Sequence, residues 1–320
     1  MKCKSMPLEK DRIRLDMQVR WRLVDKEKHI FQAEMKFDPE RYEIRTIGGQ
    51  EGYYDKRGKL FLPMATLEKG FATLMGKPIY GPPNSIRDWN QYLSTAKERI
   101  KRSLGSEAEW KPQLDRGDQF LQANLGRKLL FVVLYIDIVS STQLSRSLTD
   151  VVHRTMISTF LHEMSLIVDA HGGYIHKYTG DGLIAFFPAE QSVVGATDSA
   201  VDSAVGMRLL VINALSPALK TKNYLAIEFR IGIDSGETQI IGLGAEDVKT
   251  TADLLGYTMN LAAKICATCP PNKIVIGESV FKNLHVTRQK YFAEANVPKE
   301  RWSYQYKTTN TIYPLYFFAS

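Results

Sequence analysis

Residues 129–136, LLFVVLYI, are the longest apolar run in the chain, and the run ends at an acid. Asp137 is followed by Ile138, Val139 and three small hydroxyl residues, Ser140, Ser141 and Thr142. An apolar run of this length bounded by polar residues predicts a strand built for burial. It is far too short to cross a bilayer. Such a strand needs a sheet around it and leaves Asp137 on the rim of that sheet. Ser and Thr directly after it read as a helix start, where free N–H groups and the positive end of the helix dipole favour phosphate oxygens. An acid beside such a start is where a hard metal ion and a phosphate can meet.

The segments downstream supply the rest of a sheet. A helix runs from the Ser/Thr cluster to DAHGG (169–173), and YIHKYTGDGLIAFFP (174–188) reads as two strands about a Gly-Asp-Gly turn. A second helix covers 190–217, and LAIEFRIGIDSGETQIIGLG (225–244) reads as another pair of strands. GYTMNLAAKIC (256–266) starts a helix, NKIVIG (272–277) is a short strand, and a hairpin joins SYQY (303–306) to YPLYFF (313–318). The order βαββαβ predicts an α+β, ferredoxin-like domain over 128–320 with its helices on one face of the sheet. In that arrangement the turn acid Asp181 lies beside Asp137 on the same rim.

Residues 1–104 read as a separate α+β region, joined by a polar connector over 105–127. Ile13, Leu15, Met17, Val19, Trp21 and Leu23 alternate with mostly polar residues, as in a half-buried strand. YYDKRGKLFLP (53–63) is a hairpin, ATLEKGFATLMG (65–76) a short helix, and 85–104 a longer one. The net charge is +7, and residues 1–125 hold 24 Lys/Arg against 18 Asp/Glu. Spread over that length, the excess reads as a solvated surface, and a nucleic-acid partner is not expected. The start MKCKSMPLEKDR has no apolar leader, and three cysteines make no disulfide framework; a cytoplasmic protein is expected. CATC (266–269) lacks the second pair of a zinc site, so both thiols read as packing groups. His176 sits next to Lys177 in its strand, and alternation turns the two to opposite faces.

YIDIVSST (135–142) and KYTGDGLIAFF (177–187), followed by RIGIDSGETQIIGLG (230–244) and ADLLGYTMNLAAKI (252–265), resemble the class III nucleotidyl cyclases. The four motifs stand in that family's order and spacing, and cover about half the chain. The resemblance implies conversion of a nucleoside triphosphate to a 3′,5′-cyclic mononucleotide and pyrophosphate, with two Mg²⁺ or Mn²⁺ ions per site. Asp137 and Asp181 would hold the metals, assisted by the carbonyl of Ile138. Ser140, Ser141 and Thr142 would meet the phosphates. Lys177 would reach the nucleobase with Asp253 as its partner, Asn260 would orient the ribose, and Lys264 would face the transition state. The family's sites form between two chains, so a homodimer is implied, with no membrane anchor and a downstream cyclic-nucleotide effector.

Three positions depart from or extend the pattern. Lys264 stands where the family places an Arg, which offers a rigid bidentate fork in place of a point charge. Tyr257 either packs or narrows the base pocket, and Lys307 is a candidate phosphate lysine. Lys177 with Asp253 resembles an adenine-reading pair, which favours ATP. The alternatives are a cytidylate or uridylate cyclase of a bacterial antiphage system, and a catalytically silent nucleotide-binding module.

Overall fold

The structure is a computed structural model of the 320-residue chain and describes residues 17–25, 30–37, 39–56, 59–67, 86, 88–105, 114–190, 192–244, 251–306 and 309–319. The chain divides into two compact units, Met1–Ile79 and Tyr80–Ser320.

In the first unit, β1 (Met17–Asp25) pairs antiparallel with β2 (Ile30–Phe37). The strand expected from the alternating run is therefore present from Met17 on, and Ile13 and Leu15 lie outside the described residues. A second sheet is an antiparallel meander of β3 (Tyr42–Ile47), β4 (Gln50–Asp55) and β5 (Leu60–Pro63). Arg41 grips the Asp55 carboxylate with two donors, 3.1 and 2.6 Å long, at the end of this meander. Most of the short helix expected after it also lies outside the described residues.

The second unit opens with α1 (Trp89–Ser103), capped by Asp88, whose carboxylate accepts from the N–H groups of Asn90 and Gln91. On sequence this helix was grouped with residues 1–104; it packs instead within the second unit, where Arg99 makes a bidentate pair with the buried Glu163. The segment read as a connector contains α2 (Asp115–Ala123). Then come β6 (Lys128–Ile138), α3 (Ser141–Ser147), α4 (Asp150–Ala170), β7 (Tyr174–Tyr178) and β8 (Gly182–Pro188). The single helix expected after β6 is two, because Thr149 is extended and caps α4 through the N–H of Val152. α5 (Val193–Leu210) continues through one wide turn into α6 (Ser216–Thr221).

β9 (Phe229–Leu243) is one strand of 15 residues, not the expected pair. Gly236 does not turn the chain; a Cβ there would lie 2.3 Å from the Thr258 hydroxyl, so the glycine admits a close neighbour. β10 (Thr251–Leu255) folds back on its second half, and α7 (Tyr257–Thr268), β11 (Lys273–Gly277), α8 (Glu278–Asn283), α9 (Val286–Gln289), β12 (Phe292–Glu294) and β13 (Leu315–Phe318) complete the unit. Strand order in the sheet is β12-β13-β11-β9-β6-β8-β7, with β10 off β9. β13 joins β11 and β12, and the expected terminal hairpin is present as a short pairing about a bridge between Gln305 and Ile312, with the Tyr313 N–H donating to the Tyr304 carbonyl at 2.8 Å and the Tyr306 N–H to the Thr311 carbonyl at 2.9 Å.

β6 sits in the middle, which is why its sequence is apolar on both sides. Val132, Leu134 and Ile136 pack on one face with Phe160, Met164 and Met207 of α4 and α5. Leu129, Phe131 and Val133 pack on the other with Leu121 of α2 and Met259 and Ala262 of α7. The expectation of helices on one face is therefore corrected: the central sheet is flanked by helices on both, in a mixed α+β domain.

Candidate active site

Register brings the two acids together. Asp137 on β6 is paired with Gly182 on β8, one residue after Asp181, and with Arg230 on β9. The glycines flanking Asp181 serve different ends. Gly180 has φ +91°, open to glycine at no steric cost. A Cβ on Gly182 would stand 2.3 Å from the Ile136 carbonyl oxygen, so only glycine lets the turn close on β6. Burial and the charge of Asp181 raise the Asp137 carboxyl above its ordinary value, against the pull of Arg230. Arg230 donates to one Asp137 oxygen from Nε at 3.1 Å and Nη2 at 2.6 Å, and its Nη1 reaches the Ala267 carbonyl of α7 at 3.3 Å.

Two crowded carboxylates, one already drawing in a cation, fit a hard divalent ion by the chemistry of the donor set. Among the described residues there is no cluster of three or more His, Cys, Asp or Glu side chains that could hold a metal. Beside Asp181 lies a cavity of about 440 Å³, lined by Ser141, Thr142, His153 and Arg154. Ser140, just before α3, has φ +57°, a left-handed conformation costly for a non-glycine residue. Ile138 is buried at the end of β6.

A second cluster lies around Asp253 of β10. Lys177 Nζ is 2.6 Å from Asp253 Oδ2, an ion pair within one chain between the two residues assigned to the base edge on sequence. His176 Nε2 is 3.0 Å from Oδ1 of the same carboxylate. That corrects the expectation that His176 faces away: the ladder between β7 and β8 slips between Ile175 and Lys177, leaving His176 as an extra residue. Such a bulge breaks alternation and turns consecutive side chains to one place. α2 packs against both β7 and β10. Its Gly117 allows this, since a Cβ there would lie 2.2 Å from the Ile175 carbonyl oxygen. Burial opposes the Asp253 charge, but Lys177, the Leu254 N–H and His176 together hold the carboxyl below its ordinary value.

A third group is on α7. Asn260 and Lys264 are exposed one turn apart, and neither has a hydrogen bond or ion pair to Asp137 or Asp181 among the described residues. Lys264 lies over the Tyr304 ring at 5.0 Å, and Tyr257 meets the same ring edge-on at 5.2 Å. Lys307 lies outside the described residues. Cys266 and Cys269 are buried with thiols pushed up by burial, Cys269 to about 12, as suits packing groups. A separate cavity of about 470 Å³ between Trp89 and Asp198, Asp202 and Arg288 stands apart from these groups, and both acids are engaged by Arg288.

Arg230, Arg154 and His176 were not found on sequence. Arg230 was readable only through the register that sets it opposite Asp137, and His176 only through the bulge.

Residues 129–306 match the family model described as the adenylate and guanylate cyclase catalytic domain. Over 177 residues the chain is 28% identical to a cytidylate cyclase of Escherichia coli, spanning 50% of this chain and 36% of that protein. It is 26% identical over 206 residues to a cytidylate cyclase of Staphylococcus aureus, spanning 62% and 48%. An adenylate cyclase of Anabaena cylindrica is 24% identical over 211 residues, spanning 62% and 41%. The chain thus spans less than half the length of each of these relatives. Among solved structures, the guanylyl cyclase Cya2 superposes with a TM-score of 0.52 at 22% identity, over 61% of this chain and 94% of that one. The adenylyl cyclase CyaB from P. aeruginosa gives 0.51 at 21%, over 61% and 95%. Both are likenesses of fold.

Proposed function

The chain belongs to the adenylate and guanylate cyclase catalytic-domain family, and from that premise we propose that it makes a 3′,5′-cyclic mononucleotide and pyrophosphate from a nucleoside triphosphate with an amino-bearing base, ATP or CTP. The observation that carries this reading is the formed Lys177–Asp253 pair at 2.6 Å. An ammonium donor beside a carboxylate acceptor suits a ring nitrogen acceptor beside an exocyclic amine, the pattern shared by adenine and cytosine. Guanine and uracil present an oxo group beside an N–H, the reverse order. ATP is the substrate favoured by the motif resemblance. CTP has an observation behind it as well, the likeness to two cytidylate cyclases.

In the reaction the ribose 3′-hydroxyl attacks the α-phosphorus in line and pyrophosphate leaves. Two divalent cations, held by Asp137, Asp181 and the Ile138 carbonyl, would acidify that hydroxyl and screen the phosphates. Ser141, Thr142 and Arg154 line the cavity beside Asp181 and, with Ser140 just before α3, serve the phosphate chain. Asn260 orients the ribose, and Lys264 offsets charge gathering on the α-phosphate. Their exposure on α7 suits delivery to a second copy of the chain, so a homodimer completes two sites. The ferredoxin-like reading is supported by the order β9-β6-β8-β7 within the sheet.

The test is to incubate the purified protein separately with ATP, CTP, GTP and UTP and Mn²⁺ or Mg²⁺, and to identify products by chromatography and mass. Cyclic AMP or cyclic CMP is the expected product. No product from any of the four, with the protein folded and dimeric, overturns the reading in favour of a silent binding module.

A further inference from the structure

His176 and Lys177 grip opposite oxygens of one carboxylate, although consecutive strand residues ordinarily point apart. The bulge that permits this lies in β7, an edge strand, beside the cluster it serves. Asp253 Oδ1 takes the Leu254 N–H at 2.7 Å and faces His176 Nε2 at 3.0 Å; Oδ2 takes Lys177 Nζ at 2.6 Å. His176 is 5% exposed, with its Nδ1 buried and without a hydrogen-bond partner among the described residues. Burial holds its pKa down to about 4, so the ring is neutral at physiological pH and its proton belongs on Nε2, where the acceptor is. The Phe186 ring meets the imidazole edge-on, centroids 6.2 Å apart, and limits its movement.

The acceptor count then follows. A carboxylate oxygen has two lone-pair sites. Oδ1 is filled by His176 and Leu254, while Oδ2 keeps one site beside the two N–H groups left on Lys177. We propose that His176 is a positioning residue for base selection: by filling Oδ1 it fixes the carboxylate so that one acceptor site remains, set beside the Lys177 donors in the order an amino-bearing base requires. A carboxylate freed from His176 can turn and accept the ring N–H of uracil or guanine while Lys177 donates to the neighbouring oxo group. The pinned carboxylate cannot make that exchange. This inference rests on the cyclase reading above and adds a residue that sets its specificity.

The test compares kcat/KM for ATP, CTP, GTP and UTP, with Mn²⁺, in the wild-type protein and in His176→Phe and His176→Gln. H176F keeps a ring and loses the donor, and the preference for amino-bearing over oxo-bearing bases falls about tenfold, the worth of a hydrogen bond to a charged group. H176Q, with an amide donor of similar reach, retains most of the preference. A residue that only packs would slow all four substrates alike and leave the ratio unchanged. That outcome in H176F overturns the proposal, as does full loss of the preference in H176Q with a folded protein. If H176F does not fold, His176→Asn, whose donor is too short to reach Oδ1, replaces it in the same comparison. Wild-type protein inactive on all four substrates overturns the cyclase reading and this inference with it, whereas an active wild type with an unmoved ratio overturns this inference alone.

Discussion

The two acidic clusters of the catalytic unit are built in opposite ways. At the sheet rim, Asp137 and Asp181 crowd each other, and one cation, Arg230, pairs with Asp137. At the β7–β10 cluster a single acid, Asp253, is held by three donors from three residues. The first arrangement gains from an added positive charge, because two carboxylates in a partly buried place repel. The second is held in one orientation by partners within the chain, as suits the base-reading role proposed for it. The first cluster is left short of positive charge, as the proposed metal role requires, and the second is fixed in place, as the proposed base-reading role requires.

The largest expected effect breaks the first cluster. Asp137→Ala or Asp181→Ala lowers turnover by at least about a thousandfold, since several kcal/mol of charge stabilisation go with the metals. Product mass analysis beside an unchanged circular-dichroism spectrum measures it, and normal product from either variant removes the two-metal account. Lys264→Ala costs about a hundredfold in kcat, the usual effect of losing one transition-state donor. Lys264→Arg raises kcat above wild type if the bidentate fork is what the site lacks; single-turnover rates decide this.

Arg230→Gln sharpens the contrast without touching nucleotide. It leaves Asp137 half-buried without its partner, and stability falls by about 1–2 kcal/mol. Added Mn²⁺ restores more of the melting temperature in this variant than in wild type, because the ion no longer competes with a guanidinium. Equal shifts in both proteins contradict that competition.

Gly117→Ala tests the second cluster from behind. A Cβ placed 2.2 Å from the Ile175 carbonyl oxygen forces α2 away from β7. Overpacking of this kind costs about 1–3 kcal/mol, read by urea unfolding, with a smaller loss of base preference.

The smallest effect is on pH dependence. Asp234 is 2% exposed, accepts from Ser279 and Tyr313, and is pushed by burial up to about 6. The folded state therefore holds that proton more tightly than the unfolded chain, and the Asp234 contribution to stability falls as pH rises from about 4 to about 6. His176 has the opposite sign. Its folded pKa is depressed, so the unfolded imidazole takes a proton first and stability is lost as pH falls over the same window. Asp234→Asn removes one of these opposed contributions and gains stability relative to wild type as pH rises through the window, by roughly 1 kcal/mol per unit. Urea unfolding across about pH 4 to 7, which spans the interval between the ordinary carboxylate and imidazole values, measures it; a constant difference contradicts the assignment.

The candidate site was proposed largely from the chain itself. Asp137 and Asp181 were marked by a strand end and a tight turn, and Lys177, Asp253, Asn260 and Lys264 by the family resemblance. The structure brings the first two together and the next two together, and leaves the last two exposed on α7. Local misreadings have local causes. Asp234–Ser235–Gly236 looks like a turn, yet Gly236 is there to admit Thr258, so β9 runs straight through. β10 was missed because TADLL is too short for its alternation to show. α2 was read as a connector because few apolar residues mark it; Leu121 alone among its large side chains is fully buried.

Sequence by itself determined the buried central strand, the acid at its rim and the residue types a phosphate-transfer site needs, because burial and local backbone preference are written in the order of residues. Tertiary structure alone decided which cation stands opposite Asp137, that helices cover both faces of the sheet, and that His176 shares Asp253 with Lys177. Those depend on strand register and on one extra residue in β7, and a shift of a single residue in register reverses which way every side chain points.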